Sequence, residues 1–342
     1  MKTTFKKICL FGSWLYAAAI LGWFALHFVF GDTLWWLALL NVFVPFFFIP
    51  IILILPAGII WRRAAFYVCA LVPLAILLLL YGNLFLPAWP SRSTPGEPTL
   101  TITSFNIWGF SHSQETIQAA LTQAPDILAL QEQGPEMAAL LTEQLSDAYP
   151  YHAINIGIYE YGGQVFSRYP FVELDSGHLA DSNWRVQILR VEANNRTFIL
   201  YNVHLQASNV LAFYDGGPGF AAKVAASFGN RQDQAQRLVA DIATRTEPVI
   251  VVGDFNSTDQ SDVYKIVSAS LTDAHRAVGW GWGNTFPAYA GSWKHLPIIP
   301  RQVRLDMVFY STELEAQSCK VGSAHGESDH LPVTVRLAWQ DR

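Results

Sequence analysis

The stretch EPVIVVGDFN (247–256) carries most of the information about the fold. Its short apolar run, bounded by Pro248 and Gly253, is typical of a buried β-strand. The run ends in Asp254 and Asn256, so two polar side chains follow a strand that the core should cover. A single strand-end aspartate is usually a turn residue. Its meaning therefore depends on whether the pattern recurs elsewhere in the chain.

The pattern does recur at the ends of other apolar runs. LTITSFN (100–106), DILALQE (126–132) and YNVHLQ (201–206) each lead from apolar residues into an amide, a carboxylate or an imidazole, and LDMVFYS (305–311) and SDHLPV (328–333) begin with such groups. The candidate site residues are Asn106, Glu132, His204, Asp254, Asn256, Asp306, Asp329 and His330. Strand ends that meet at one rim of a sandwich would bring these side chains together.

The chemistry of this set indicates a hard cation. Carboxylate and amide oxygens suit Mg²⁺ or Mn²⁺, and no Cys/His cluster with zinc spacing is present. Imidazoles beside such a cation provide acid–base catalysis or bind a phosphoryl oxygen. Taken singly, Glu132 could cap the next helix, His204 could be structural, and the residues before Pro332 could form a turn. The complete ordered set favours a catalytic site.

The surrounding elements predict mixed sheets packed with helices. Helices are expected over 113–124, 135–147 and 230–244. Strands over 186–192 and 197–204 flank Asn194–Asn195, which predicts a hairpin. Strands and helices do not alternate strictly, and the chain has neither a P-loop nor GxGxxG, so a doubly wound nucleotide-binding fold is disfavoured.

These motifs together resemble the endonuclease/exonuclease/phosphatase superfamily, which includes deoxyribonuclease I-like nucleases, neutral sphingomyelinases and inositol polyphosphate phosphatases. The matching stretches are TSFNIWG (103–109), LALQEQ (128–133), FSRYP (166–170), YNVHLQ (201–206), NRQDQAQRL (230–238), GDFNS (253–257), TFP (285–287), RLDMVFYS (304–311) and SDHLPV (328–333). The resemblance covers about residues 100–340. It implies an α+β fold, a four-layer α/β sandwich in which two mixed β-sheets lie face to face between helices.

The resemblance also implies a metal side of the site. Glu132 is expected as the main Mg²⁺ ligand with Asn106 beside it, and Asp329 as a second metal-side carboxylate. Three features depart from the family pattern. GGQVFSR (162–168) has two glycines and a glutamine where more apolar residues are usual, Met307 stands where an aromatic residue is usual, and residues 207–229 form a long insertion. These departures affect the substrate and leave the metal chemistry unchanged.

The remaining roles implied by the resemblance concern water and phosphate. Asp254 and Asn256 are expected to handle the attacking water and the phosphate. His330 is expected to act as a general base or phosphate clamp, with Asp306 holding its other ring nitrogen. His204 is expected to stabilise the phosphate or to protonate the leaving group, and its presence favours the nuclease and sphingomyelinase branches.

The first 86 residues predict a transmembrane region. The chain is 51% hydrophobic and 14% charged, whereas a soluble domain has about 25% charged residues. Apolar runs at about 8–30, 35–60 and 64–86 each reach the ~20 residues that cross a bilayer as a helix. The second run holds Pro45, Pro50 and Pro56, so a kink or break is expected there. The first run is longer than the apolar core of a signal peptide, and two spans follow it, so cleavage is disfavoured.

Composition excludes several classes and divides the chain. Residues 1–90 hold five basic residues and one acidic residue, so the remaining 17 basic and 26 acidic residues give 91–342 a net charge of −9. A soluble enzyme, a disordered chain and a coiled coil are excluded, and three cysteines exclude a disulfide scaffold. Residues 87–99 form a Pro-rich linker, and 100–342 form the expected catalytic domain.

The basic residues predict an orientation. Lys2, Lys6 and Lys7 precede the first run and Arg62–Arg63 separate the second from the third, whereas the loop between the first two runs has only Asp32. The positive-inside rule then places the N-terminus in the cytoplasm and, after three crossings, the catalytic domain outside it. We expect a multi-pass protein of the cell membrane whose partners are the bilayer and a phosphate-ester substrate. No obligate protein partner is evident.

Three functions are compatible with the sequence. A membrane-anchored Mg²⁺-dependent phosphoesterase fits the intact residue set best, with a phospholipid or its head group as the candidate substrate. An extracytoplasmic deoxyribonuclease I-like nuclease is the alternative, and a non-catalytic binding module is the second alternative. The acidic 91–342 segment and the apolar insertion 210–228 favour a lipid, because aromatic residues can anchor in head groups. The same residues, with Trp280, Trp282 and Trp293, could instead only cover the domain's own core.

Overall fold

The computed structural model describes residues 2–86, 97–109, 113–155, 162–175, 186–207, 219–289, 292–293, 296–297 and 301–340. Two six-stranded mixed sheets form a sandwich within residues 97–340. The first sheet contains β1 (Thr99–Asn106), β2 (Ile127–Gln133), β3 (Tyr151–Asn155), β4 (Gly162–Ser167), β13 (Leu314–Val321) and β14 (Val333–Trp339) in the order β13-β14-β1-β2-β4-β3. The second contains β5 (Phe171–Asp175), β6 (Val186–Ala193), β7 (Arg196–His204), β8 (Val249–Asp254), β9 (Thr272–Asp273) and β12 (Asp306–Tyr310) in the order β5-β6-β7-β8-β12-β9. A small hairpin pairs β10 (Ser292–Trp293) with β11 (Leu296–Pro297).

Helices cover the outer faces of both sheets. They are α5 (Gln114–Leu121), α6 (Pro135–Leu145), α7 (Phe220–Ile242) and α8 (Asp262–Ser268), whereas the short helix α9 (Ala274–Val278) packs against the core between the two sheets. The inner faces of the two sheets share one core, to which Ile102, Leu200, Val252 and Val335 contribute. Separate apolar clusters lie between each sheet and its helices. The predicted α+β four-layer sandwich is therefore confirmed.

The register of the second sheet aligns three of the candidate site residues. β8 lies between β7, to which it is parallel, and β12, to which it is antiparallel. His204 pairs with Asp254 across one boundary, and Asp306 pairs with Asp254 across the other. Gly253 has a φ of 145°, and a Cβ there would lie 1.8 Å from the Val203 carbonyl oxygen. Glycine is therefore required where β8 approaches β7 just before Asp254.

Residues 2–86, here called the helical region, contain three helices long and apolar enough to cross a membrane. The candidate spans are Thr3–Phe30, Val44–Trp61 and Ala64–Phe85. The helices are α1 (Lys2–Phe30), α2 (Trp35–Val42), α3 (Ile51–Trp61) and α4 (Ala64–Tyr81), with 3₁₀ turns at Val44–Phe48 and Gly82–Phe85. The break expected in the second run is present. The second candidate span begins at Val44 and not near residue 35, because 35–42 form a separate short helix that packs against Val224 and Phe228.

Several boundaries differ from the sequence-based expectation. The helix expected at 113–124 is α5, and Ser113 is its N-cap, since the Ser113 hydroxyl accepts from the Thr116 amide. The helix expected at 230–244 begins ten residues earlier, at Phe220. Its added turns belong to the predicted insertion, and Val224 and Phe228 are buried against Ala38 of α2. Most of the linker (87–96) and residues 208–218 lie outside the described residues.

Candidate metal-dependent active site

Asp254 lies at the centre of the candidate site and is 1% exposed. Its Oδ2 lies 3.0 Å from the Asn106 amide nitrogen and 3.2 Å from the Asn256 amide nitrogen, and its Oδ1 accepts from the Asn256 backbone N–H at 2.8 Å. The Nε2 atoms of His204 and His330 each lie 3.8 Å from Oδ2. Burial raises the pKa of Asp254, against the opposing charge of His330. One carboxylate thus joins both imidazoles and both amides.

Glu132 forms the solvent-facing side of the site. It has a φ of 56°, a left-handed conformation that is uncommon outside glycine. Asn106 donates to its Oε1 at 3.0 Å, and His204 Nε2 lies 3.2 Å from the same oxygen. Burial alone would raise the pKa of Glu132, but the hydrogen bond and charge of His204 outweigh it and lower the pKa to about 2. Glu132 is therefore ionised at neutral pH.

His330 and Asp306 form a buried pair. The ring Nδ1 donates to Asp306 Oδ2 at 2.8 Å, so Nε2 faces Asp254. Burial opposes a charge on His330, but Asp306 and Asp254 outweigh it and raise its pKa to about 10. The Asp306 backbone N–H donates to the Thr285 hydroxyl at 3.3 Å, which fixes the start of β12.

Two further side chains, Ser328 and Phe286, position His330. The sequence motifs SDH and TFP contain them, but neither was a candidate site residue. The Ser328 hydroxyl donates to the Asn106 carbonyl at 2.6 Å and accepts the His330 N–H at 3.0 Å. The Phe286 ring lies 4.9 Å from the imidazole. The SDH and TFP stretches contained these residues, but spacing alone could not show that they contact the histidine.

Asp329 and Asn256 lie at the edges of the cluster. Asp329 Oδ1 is 4.0 Å from His330 Nε2, and burial raises the pKa of this carboxyl to about 6. Asn256 has a φ of 47° and donates to the Leu205 carbonyl at 2.9 Å as well as to Asp254. All eight predicted residues therefore lie at one rim of the sandwich.

The donor set suits a divalent cation. Among the described residues, two overlapping groups could hold a metal ion: Glu132 with His204 and Asp254, and Asp254 with Asp306 and His330. Within each group the ligand atoms lie within 4.8 Å of one another. Carboxylate oxygens dominate both, which is the chemistry of Mg²⁺ and Mn²⁺ sites. Among the residues that the structure describes, none hydrogen-bonds to the Oδ1 atom of buried Asp306.

The sequence comparison agrees with this geometry. The model of the endonuclease/exonuclease/phosphatase family matches residues 103–330, more than half of the chain. The chain belongs to this family. A search of curated proteins found no match.

Solved structures support the fold of this family member. Truncated TDP2 from Caenorhabditis elegans gives a TM-score of 0.53 at 19% identity, covering 70% of this chain and 97% of that one. An endonuclease/exonuclease/phosphatase from Bacteroides vulgatus gives 0.52 at 19% identity, covering 71% and 100%. D. rerio TDP2 complexed with single-strand DNA product gives 0.55 at 18% identity, covering 70% and 98%. At these identities the likeness concerns the fold alone.

Proposed function

We propose that this family member is a membrane-anchored, divalent-metal-dependent phosphoesterase that cleaves its substrate by water attack. The observation that supports it most is the convergence of Asn106, Glu132, His204, Asn256 and His330 on Asp254. A folding role alone would not require so many polar groups at one rim, because buried charge is costly unless it is paired.

The metal-side residues would be Glu132 and Asn106, with Asp329 as a further carboxylate. A Mg²⁺ or Mn²⁺ ion bound there would supply positive charge for the phosphoryl oxygens. Glu132 suits this role because it stays ionised and its side chain is 28% exposed. The Asn106 amide donates to both Glu132 and Asp254 and so holds the two carboxylates close together.

The other residues would act on water and phosphate. Asp254 and Asn256 would orient the attacking water. His330 would take its proton through Nε2, since Asp306 occupies Nδ1 and fixes the tautomer. His204 would bind the phosphate or protonate the leaving oxygen, because its side chain is 31% exposed and lies at the open face. Each residue thus keeps the role that the family resemblance implies.

The division of the chain and its orientation belong to the same proposal: residues 1–86 anchor the protein, 87–99 link and 100–342 catalyse, with the catalytic part extracytoplasmic. The sandwich contacts the ends of α1 and α4, whereas Arg62–Arg63 lie at the opposite end of α4. This agrees with the positive-inside expectation. Protease added to cells with a permeabilised outer layer should cut within 87–98; cleavage only after lysis would reverse the topology.

We further propose that the substrate is a phospholipid or its head group. Trp282 packs on Tyr81 and Phe85, at 5.0 and 5.2 Å between ring centroids. The loop that contains Trp282 therefore contacts the C-terminal end of the last candidate span. Trp280 is 74% exposed beside Phe85. The domain that carries the candidate site therefore contacts the proposed membrane-crossing helices directly.

The substrate test is a screen with the full-length protein. Vesicles of phosphatidylglycerol and phosphatidylethanolamine, single- and double-stranded DNA, and inositol phosphates would be offered with Mg²⁺ and with chelator. Release of head group or phosphate from lipid supports the proposal. The alternative is the deoxyribonuclease I-like nuclease that the family resemblance also implies, and a strong preference for DNA would establish it. No metal-dependent turnover at all would leave the non-catalytic binding module.

A further inference from the structure

The sandwich is joined to the helical region by a reciprocal pair of aspartates, here called the Asp32 bracket. The Asp262 N–H donates to Asp32 Oδ2 at 2.7 Å, and the Asp32 N–H donates to Asp262 Oδ2 at 2.8 Å. Asp32 lies in the turn between α1 and α2, and Asp262 is the first residue of α8. Two carboxylates that each accept the other's amide fix both position and angle.

Asn41 connects this bracket to α1 and to the loop after the catalytic strand. It is 1% exposed, accepts from the Trp23 indole at 3.1 Å and donates to Asp32 Oδ1 at 3.0 Å. Its carbonyl accepts from the Thr258 hydroxyl at 3.4 Å. The Asn41 side chain thus contacts a membrane-crossing helix and the bracket, and its main-chain carbonyl contacts the loop.

The loop held in this way begins at the candidate site itself. Asn256 contacts Asp254, and the chain runs through 257–261 into Asp262. Ser257, Thr258, Gln260 and Ser261 are all buried. The structure therefore clamps this loop at both ends, by Asp254 at one and by the bracket at the other.

Gly31 shows how closely the helical region approaches the sandwich at Asp262. Its φ is 52°, and a Cβ at this position would lie 2.3 Å from Asp262 Oδ1. Any side chain would push the bracket apart while leaving all its hydrogen-bonding groups in place. Gly31→Ala is therefore a variant that changes geometry without removing a polar atom.

Electrostatics also place the bracket near the site. Arg231 is 1% exposed, and burial lowers the pKa of its guanidinium to about 10 against the opposing effects of Asp32 and Asp254. Both carboxylates thus act on one buried cation. The helical region and the catalytic rim are neighbours rather than the two ends of a flexible tether.

We propose that Asp32 and Asn41 are positioning residues for the loop 254–262, so that the helical region completes the active site as well as anchoring it. This rests on the proposed function only in assuming that Asp254 and Asn256 serve a metal-dependent site. Residues that orient a metal site without touching the ion commonly change its affinity or activity by 10–100-fold when lost. A bracket that only adds stability would leave those quantities unchanged in the folded protein.

The test uses the full-length protein in nanodiscs of phosphatidylglycerol and phosphatidylethanolamine. The variants are Gly31→Ala, Asp32→Ala, Asp32→Asn and, as the matched control in the same turn, Thr33→Ala, whose side chain is exposed. Three quantities are measured: Mn²⁺ affinity by calorimetry, kcat and KM on bis(p-nitrophenyl) phosphate, and amide hydrogen exchange in 255–262.

We expect Asp32→Ala and Gly31→Ala to weaken Mn²⁺ binding about tenfold and to lower kcat, with KM near the wild-type value. Exchange in 255–262 should accelerate while the β8 amides stay protected. Asp32→Asn should recover part of both losses, because it keeps an oxygen for the Asp262 amide. Thr33→Ala should match wild type.

Three outcomes separate the proposals. If Asp32→Ala and Gly31→Ala keep the Mn²⁺ affinity of Thr33→Ala, the positioning role is overturned. Lower melting temperatures with unchanged affinity and kcat per folded molecule overturn it as well, because the bracket would then be only structural. If wild type binds Mn²⁺ but cleaves no substrate, the proposed function fails, and the affinity and exchange measurements still decide the positioning role.

Discussion

The two halves of the candidate site contrast in burial. The half formed by Asp254, Asp306 and His330 has side chains 1%, 0% and 6% exposed, whereas Glu132 and His204 are 28% and 31% exposed. The buried half sits on paired strands, and its histidine is held on several sides. The open half can admit a cation and a substrate. Pre-organised groups and an accessible face are the combination that metal-dependent hydrolysis requires.

The pKa shifts of the carboxyl groups also differ between the buried half and the open half. Burial dominates at Asp254 and raises its pKa, whereas His204 outweighs burial at Glu132 and lowers its pKa to about 2. His330, with a pKa near 10, carries a proton at neutral pH in the metal-free protein. A general base must be free of that proton. We therefore expect the charge of a bound divalent cation to lower the pKa of His330.

The largest expected effect comes from the open half. Glu132→Gln keeps the size of the side chain but removes the ionised ligand, so turnover should fall by about 10³-fold or more, equivalent to the several kcal/mol a metal supplies. Glu136→Gln is the matched control, because it removes one exposed acidic charge nearby. The measurement is kcat in Mg²⁺. Comparable losses in both variants would point to general charge effects instead of a ligand.

The buried half should respond as one unit. His330→Ala and Asp306→Asn should each lower kcat about a hundredfold or more, the range of general acid–base catalysis. The double variant should be little worse than His330→Ala alone, because Asp306 acts through the imidazole. Additive losses in log kcat would contradict the pairing, and a melting-temperature measurement would exclude unfolding as the cause.

The smallest expected effect concerns stability and pH. A histidine whose pKa rises from 6.5 to about 10 on folding stabilises the protein fully below pH 6.5 and loses that contribution as pH rises towards 10. Chelated wild type should therefore lose stability as the pH rises from 7 towards 10. Asp329, with a pKa of about 6, has largely titrated by pH 7. His330→Gln should show a flatter melting-temperature profile, and parallel profiles would remove His330 as the cause.

The features of the fold and of the candidate site that the sequence predicted are those that depend on local chemistry. Apolar runs ending in polar residues predicted the strands, and they predicted that the eight candidate residues lie together at one rim of the sandwich. Asn194 and Asn195 adopt φ of 55° and 59°, so the predicted hairpin turn was correct for a local steric reason. These features depend on residues close together in the chain.

The missed features depend on residues far apart in the chain. The apolar face of the early turns of α7 has a partner only because α2 lies beneath it, so the insertion 207–229 gave no helical expectation there. The Asp32 bracket joins residues 230 positions apart. No periodicity or motif reports such a contact. The sequence therefore predicts an anchor followed by a linker, whereas the helical region packs directly on the sandwich.

The most direct test of the metal-dependent site is a parallel Mn²⁺ titration of the chelated full-length protein. Binding is followed by calorimetry, and hydrolysis is followed with bis(p-nitrophenyl) phosphate in the same buffer. The account predicts that activity returns with the same midpoint as binding, and that both are lost in Glu132→Gln and retained in Glu136→Gln. Hydrolysis that persists in excess chelator, or binding that is unchanged in Glu132→Gln, would contradict it.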